Sequence, residues 1–140
     1  MEYNEGMQVE VSSDEDGFVG AWFTAKIVKA VGKDKFIVEY QTLRTEDETE
    51  LLKEEAESFH IRPPPPEIPN DVSFRLLEEV DAMYNDAWWI GVVSKVLKDS
   101  KYIVYFRENN EEIEFNHSQL RFHQDWINGN WIRASMVRNY

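Results

Sequence analysis

Residues 21–40, AWFTAKIVKAVGKDKFIVEY, return at residues 87–106 as AWWIGVVSKVLKDSKYIVYF, without a gap and at a constant offset of 66. Of the 20 paired positions 6 are identical, Trp22 with Trp88 among them, where ordinary residue usage predicts about one. The chain is therefore a tandem of one small unit. Its 140 residues divide as 1–66 and 67–140. Units of about 65 residues bury little of their surface, and with no cysteine to staple them the two are expected to pack together.

Apolar and β-branched residues alternate with polar ones over short runs bounded by turn signals, which predicts strands. In the first unit these are Met7–Val11, Ala21–Ala30, Lys35–Gln41 and His60–Arg62, with a turn at Ala56–Phe59. Glu50–Glu55 reads equally as a fourth strand or a short helix. The second unit follows in the same order with Ser73–Ala82, Ala87–Leu97, Lys101–Arg107, Glu111–Phe115, a turn at Asn116–Gln119, and Leu120–His123. Five short antiparallel strands per unit imply an all-β chain of two small barrels, since closure removes exposed edges. Pro63–Pro66 and Pro69 form a semi-rigid polyproline spacer between them. At the far end Asn128-Gly129 supplies the two positive-φ positions of a type I′ turn, which sets Trp126 opposite Trp131. That pair reads as a lid on the second barrel.

Charge and composition exclude several chemistries. With 27 acidic against 15 basic residues the net charge is −12, which disfavours nucleic acid and favours a basic partner. No apolar run is long enough to span a bilayer, so no membrane partner is expected. Without cysteine there is no thiol nucleophile or thiolate metal site, and His60, His117 and His123 lack zinc-ligand spacing. No nucleophile elbow, phosphate loop or cofactor motif occurs. The expectation is a non-catalytic protein without metal or cofactor.

Aromatic residues are the positive signal, at 14% of the chain. Phe23 shares the apolar face of its strand with Ala25 and Ile27, Trp22 shares the other with Thr24 and Lys26, and Tyr40 stands at a strand end where a barrel opens. Rings converging on a barrel rim suit a methylated ammonium, which keeps its charge but loses hydration. Carboxylates beside such a cage would hold flanking Lys and Arg residues of a basic peptide.

Val9-Glu10-Val11, Gly20 to Ile27 and His60-Ile61-Arg62-Pro63 resemble the first member of a plant Agenet pair. Val80-Asp81-Ala82, Asp86 to Val93, Leu120-Arg121 and Asp125 to Trp131 resemble the second. The resemblance implies two Tudor-like barrels of the Royal superfamily and a nuclear chromatin reader of histone H3 tails, with the heterochromatic dimethyl-lysine mark favoured. It places cage positions on Phe23 and Tyr40 in the first unit, with Phe18 or Trp22 supplied by the longer loop. The corresponding set in the second unit is Tyr84, Trp89 and Phe106. Acidic peptide contacts fall to Asp14, Glu15 and Asp16, and to Asp81 and Asp86. The competing reading is a scaffold that binds a basic, proline-rich or methylarginine peptide.

Overall fold

A computed structural model describes residues 2–15, 17–69 and 72–133. The chain is all-β, with antiparallel sheets, and divides into two compact units, the first up to Pro64 together with Asn85–Ala87 and the second from Pro65 onward without those three residues.

In the first unit β1 (Gln8–Ser12), β2 (Ala21–Ala30), β3 (Lys35–Arg44), β4 (Leu51–Glu57) and, after a 3₁₀ turn at Ser58–His60, β5 (Ile61–Arg62) pair in the order β4-β3-β2-β1-β5. β2 pairs with β1 over residues 22–26 and with β3 over residues 25–30, with a bulge between Ile27 and Lys29 that bends it. Alternation does the rest. Ala21, Phe23, Ala25 and Ile27 are buried with Val9, Val11, Phe36, Val38 and Tyr40. Tyr3 closes one end, its ring edge-on to Phe36 at 5.6 Å and its hydroxyl donating to the Ile61 carbonyl at 3.1 Å.

The second unit repeats the plan with β6 (Glu79–Tyr84), β7 (Ala87–Val96), β8 (Lys101–Phe106), β9 (Glu111–Asn116), a 3₁₀ turn at His117–Gln119, and β10 (Leu120–Phe122). Its β7 bulge, between Val93 and Lys95, falls at the repeat offset from that of β2. Phe74 takes the place of Tyr3, 5.3 Å from the Tyr102 ring and 4.8 Å from Phe122. A hairpin of β11 (Gln124–Ile127) and β12 (Asn130–Arg133) turns through Asn128 and Gly129, both at positive φ, and pairs Trp126 with Trp131, ring centroids 5.2 Å apart. The Arg133 guanidinium lies 4.0 Å over the Phe122 ring, and Gln124 donates to the Pro66 carbonyl at 3.2 Å, which seats the hairpin on this unit.

Register fixes the equivalences. Glu10 faces Arg62 and Val11 faces Ile61 as Asp81 faces Arg121 and Ala82 faces Leu120. Phe36 faces Ala56 and Val38 faces Glu54 as Tyr102 faces Phe115 and Val104 faces Ile113. The length differences thus fall in the β1–β2 and β3–β4 loops, where insertions cost little.

Three elements depart from the sequence expectation. Residues 73–78 are not strand: the Glu78 amide donates to the Arg75 carbonyl at 3.1 Å, Leu77 takes φ 69, and β6 starts only at Glu79. The ambiguous segment is strand, running to Glu57, so the turn begins at Ser58 rather than Ala56. β3 continues past Gln41 to Arg44.

Gly91 is buried in β7, and a Cβ there would meet the Val104 side chain, the Tyr105 carbonyl at 3.0 Å and the Phe106 ring at 3.2 Å. All three neighbours are strand backbone or core, so Gly91→Ala should destabilise the second unit by about 1–3 kcal/mol, the usual cost of overpacking. Urea unfolding monitored by tryptophan fluorescence measures it.

Candidate functional site

The tryptophan that marks the repeat has a structural partner in both units. The Arg62 guanidinium sits 3.8 Å over the Trp22 ring and donates to Glu10 Oε1 from Nε at 3.1 Å and Nη2 at 2.8 Å. Arg121 lies 4.1 Å over Trp88 and donates from Nε to Asp81 Oδ2 at 2.9 Å. Two expectations are corrected here. Trp22 lies on the β2 face opposite Phe23, its ring stacked on Arg62, so the structure does not bring it to the other candidate cage rings. Asp81, 3% exposed, is the inner partner of Arg121 and of His123, whose Nδ1 lies 2.8 Å from Asp81 Oδ1. It is buried within the unit rather than presented to a peptide.

Phe18, Phe23 and Tyr40 do come together. Phe18 and Phe23 have centroids 5.9 Å apart, and Phe23 meets Tyr40 edge-on at 5.8 Å. Two consecutive turns of the β1–β2 loop carry Phe18 there: its amide donates to the Glu15 carbonyl at 3.0 Å, and the Ala21 amide donates to the Phe18 carbonyl at 3.1 Å. Gly17 and Gly20 supply the positive φ these turns need. Phe18 remains 42% exposed over the buried pair.

Tyr40 is also the floor of an open cleft of about 340 Å³. One wall is the end of β1 and its loop, Val11 to Glu15, and the other is Glu54 to Glu57 of β4, with His60 at the corner. Five carboxylates line it: Asp14, Glu15, Glu54, Glu55 and Glu57. The Tyr40 hydroxyl donates to Glu54 Oε2 at 3.1 Å. Burial, the charge of Glu54 and its hydrogen bond, and then Glu15 push the phenol well above its ordinary value, so Tyr40 stays neutral and keeps its proton, which it donates in the hydrogen bond to Glu54. His60 braces the loop, Nδ1 3.0 Å from the Ser12 hydroxyl and Nε2 3.1 Å from Asp14 Oδ2.

In the second unit Tyr84, Trp89 and Phe106 also meet. Trp89 Nε1 donates to the Tyr84 carbonyl at 2.7 Å, and Tyr84 stacks on Phe106 at 6.4 Å. A fourth ring joins them, Phe115, edge-on to Tyr84 at 6.2 Å and to Phe106 at 5.9 Å. Asp86 is exposed in the two-residue β6–β7 turn, which takes φ 47 at Asn85 and 68 at Asp86. Asp16 lies outside the described residues.

Sequence reasoning missed the β4 wall, above all Glu54 and Ala56. In register they stand where the second unit has Ile113 and Phe115. Among the described residues no group of three or more His, Asp or Glu side chains is placed to hold a metal ion, and no helix is long and apolar enough to cross a membrane.

The family model for the Agenet domain matches residues 6–66 and 78–137. The chain belongs to the Agenet family. Agenet domains are a Tudor-like reader family, and this chain carries a tandem pair. It is 49% identical over 129 residues, 92% of its length, to Arabidopsis thaliana Protein AGENET DOMAIN (AGD)-CONTAINING P1. It is 42% identical over 142 residues, 97% of its length, to DUF724 domain-containing protein 3 of the same plant. The chain spans 25% of the first relative and 20% of the second. Among solved structures, Arabidopsis thaliana AGDP1 AGD34 matches with a TM-score of 0.88 at 49% identity, covering 92% of this chain and 88% of that one. The ADCP1 tandem Agenet domain 3-4 matches with a TM-score of 0.83 at 45% identity, covering 92% and 86%.

His123 carries a pH-dependent contribution to the stability of this chain. Its Nε2 lies 2.9 Å from Asp125 Oδ1, so both ring nitrogens face carboxylates. Burial lowers its pKa, but the hydrogen bonds and charges of Asp81 and Asp125 outweigh it, and the net shift is upward from 6.5. A raised folded pKa adds stability that is complete below 6.5 and is lost as pH rises through the folded value. The thermal midpoint should therefore fall with rising pH above that point, and His123→Gln should flatten the fall. Parallel curves for the two proteins would contradict this.

Proposed function

We propose that the first unit binds a basic peptide tail through a methylated lysine seated on Tyr40, and that the chain is a nuclear chromatin reader of histone H3. The supporting observation is that Tyr40 belongs both to the Phe18–Phe23–Tyr40 ring row and to the carboxylate-lined cleft. A methylated ammonium needs both. Its charge survives methylation while its hydration weakens, so a π-face gains on water, each close ring contributing about 0.5–2 kcal/mol. Glu15 and Glu54 add charge beside the ring. Glu54 also fits the dimethyl state, because a dimethylammonium keeps one N–H to donate to a carboxylate and a trimethylammonium keeps none. The cleft volume lies within the usual range for small-ligand sites, about 300–1,000 Å³.

One observation favours a second reading, a scaffold for basic peptides indifferent to methylation: five carboxylates line the cleft against one ring. Calorimetric titration of H3 peptides unmodified, mono-, di- and trimethylated at each tail lysine separates the two. The methyl-reader reading expects tighter binding of a dimethylated peptide, and Tyr40→Leu, which keeps bulk but removes the ring, should weaken it by roughly two- to thirtyfold, the equivalent of one cation–π contact. Trp22→Phe should leave the methyl preference in place. Equal affinity for all peptides, lost in salt, would support the scaffold instead.

A further inference from the structure

We infer that three side chains at equivalent positions decide which of the two units has an open cleft: Ser13, Glu54 and Ala56 in the first, against Tyr84, Ile113 and Phe115 in the second. The inference deepens the proposed function and rests on it for the identity of the ligand. Its structural part stands alone.

The equivalences follow from strand register. Counting along β1 and β6 from the paired acids Glu10 and Asp81 brings Ser13 to the position of Tyr84. On the opposite side Glu54 and Ala56 face Val38 and Phe36, as Ile113 and Phe115 face Val104 and Tyr102. Residues two apart share a strand face, so each pair on β4 or β9 points to the same side of its sheet. In the first unit all three positions line the cleft above Tyr40. In the second, Phe115 is 3% exposed and meets both Tyr84 and Phe106, the counterpart of Tyr40, while Ile113 packs against the core. One strand face therefore carries an acid and a methyl group in one copy and a branched aliphatic and a benzyl ring in the other. Phe115 thus packs on Phe106 at the position where Ala56 lines the cleft over Tyr40.

Each unit shows that the fold accepts its own set, which makes the exchange a fair test. Glu54→Ile with Ala56→Phe should seat the new ring against Tyr40 and close the cleft. Ile113→Glu with Phe115→Ala should open one beside Phe106. The probe is an H3 tail peptide carrying dimethyl-lysine, titrated into ¹⁵N-labelled whole chain, with the amides of Tyr40 and Phe106 as reporters. Crystal structures of the variants report the clefts without any ligand. Expected are shifts at Tyr40 in the native chain, binding at least about tenfold weaker in the closed variant, and new shifts at Phe106 in the opened one. Should the opened double variant not fold, Phe115→Ala alone and the closed variant carry the decision. Undiminished binding by a closed variant whose ring is seated, or native-chain shifts at Phe106 instead of Tyr40, would overturn the inference. If the native chain binds no methylated peptide, the functional reading fails, and crystal structures showing the cleft closed and opened as stated, or not, decide the inference separately.

Discussion

An arginine held between a carboxylate and an indole organises each unit. Arg62 is 2% exposed and Glu10 3%, so both charges have left water, a transfer that costs several kcal/mol per ion unless hydrogen bonds and packing offset it. Two guanidinium N–H groups on Glu10 supply the hydrogen bonds and the face of Trp22 supplies the packing. The three residues come from β5, β1 and β2, so the contact fixes the last, first and second strands of the unit together. It also sets their faces: once Trp22 lies on the arginine side, Ala21, Phe23 and Ala25 must turn to the other. Asp81, Arg121 and Trp88 repeat the arrangement. Removing the arginine would strand a buried carboxylate in either copy, Glu10 or Asp81.

That constraint separates scaffold from site. The stacked tryptophan, the β2 and β7 bulges and the aromatic plug at Tyr3 or Phe74 are shared, and none of them touches the cleft. The divergence that bears on the cleft lies in the β1–β2 loop and on one face of β4 or β9. A loop of turns adds Phe18 and its neighbouring acids at little cost to the sheet, because the strands on either side keep their register. The strand face changes volume and charge without changing pairing.

Legibility in the sequence follows the same division. The strands, the repeat and the Trp126–Trp131 pair were readable because each rests on a local pattern: period two, constant offset, or an Asn-Gly turn. Trp22 was readable as lying on the opposite face from Phe23, but its arginine partner, 40 positions on, was not, since nothing local announces a cation–π contact. Asp81 looked like one more surface acid in a chain of 27; only its pairing across β6 and β10 reveals it as buried. Glu54 and Ala56 escaped because Leu51 to Glu57 shows no period that separates strand from helix, and without the strand their shared face is invisible. Leu76 acts in the opposite sense, an apolar residue two positions from Phe74 that extends the alternation yet stands 58% exposed in a turn.

The acids of the first unit and its rings act over different distances, and this divides affinity from selectivity. A net charge of −12 attracts any basic segment, but at physiological ionic strength such attraction decays over about 8 Å and does not distinguish a lysine from its methylated form. Discrimination needs contact. In the proposed reader it would fall to groups that a methyl can touch, and Tyr40 suits that requirement because burial and Glu54 keep its phenol protonated. Were the phenol to ionise, the ring would become another anion and would favour charge alone. Glu54 therefore has two consequences from one position: it adds negative charge to the cleft, and it holds the neighbouring ring neutral, so that a methyl group bound as proposed would meet an apolar surface inside an acidic wall.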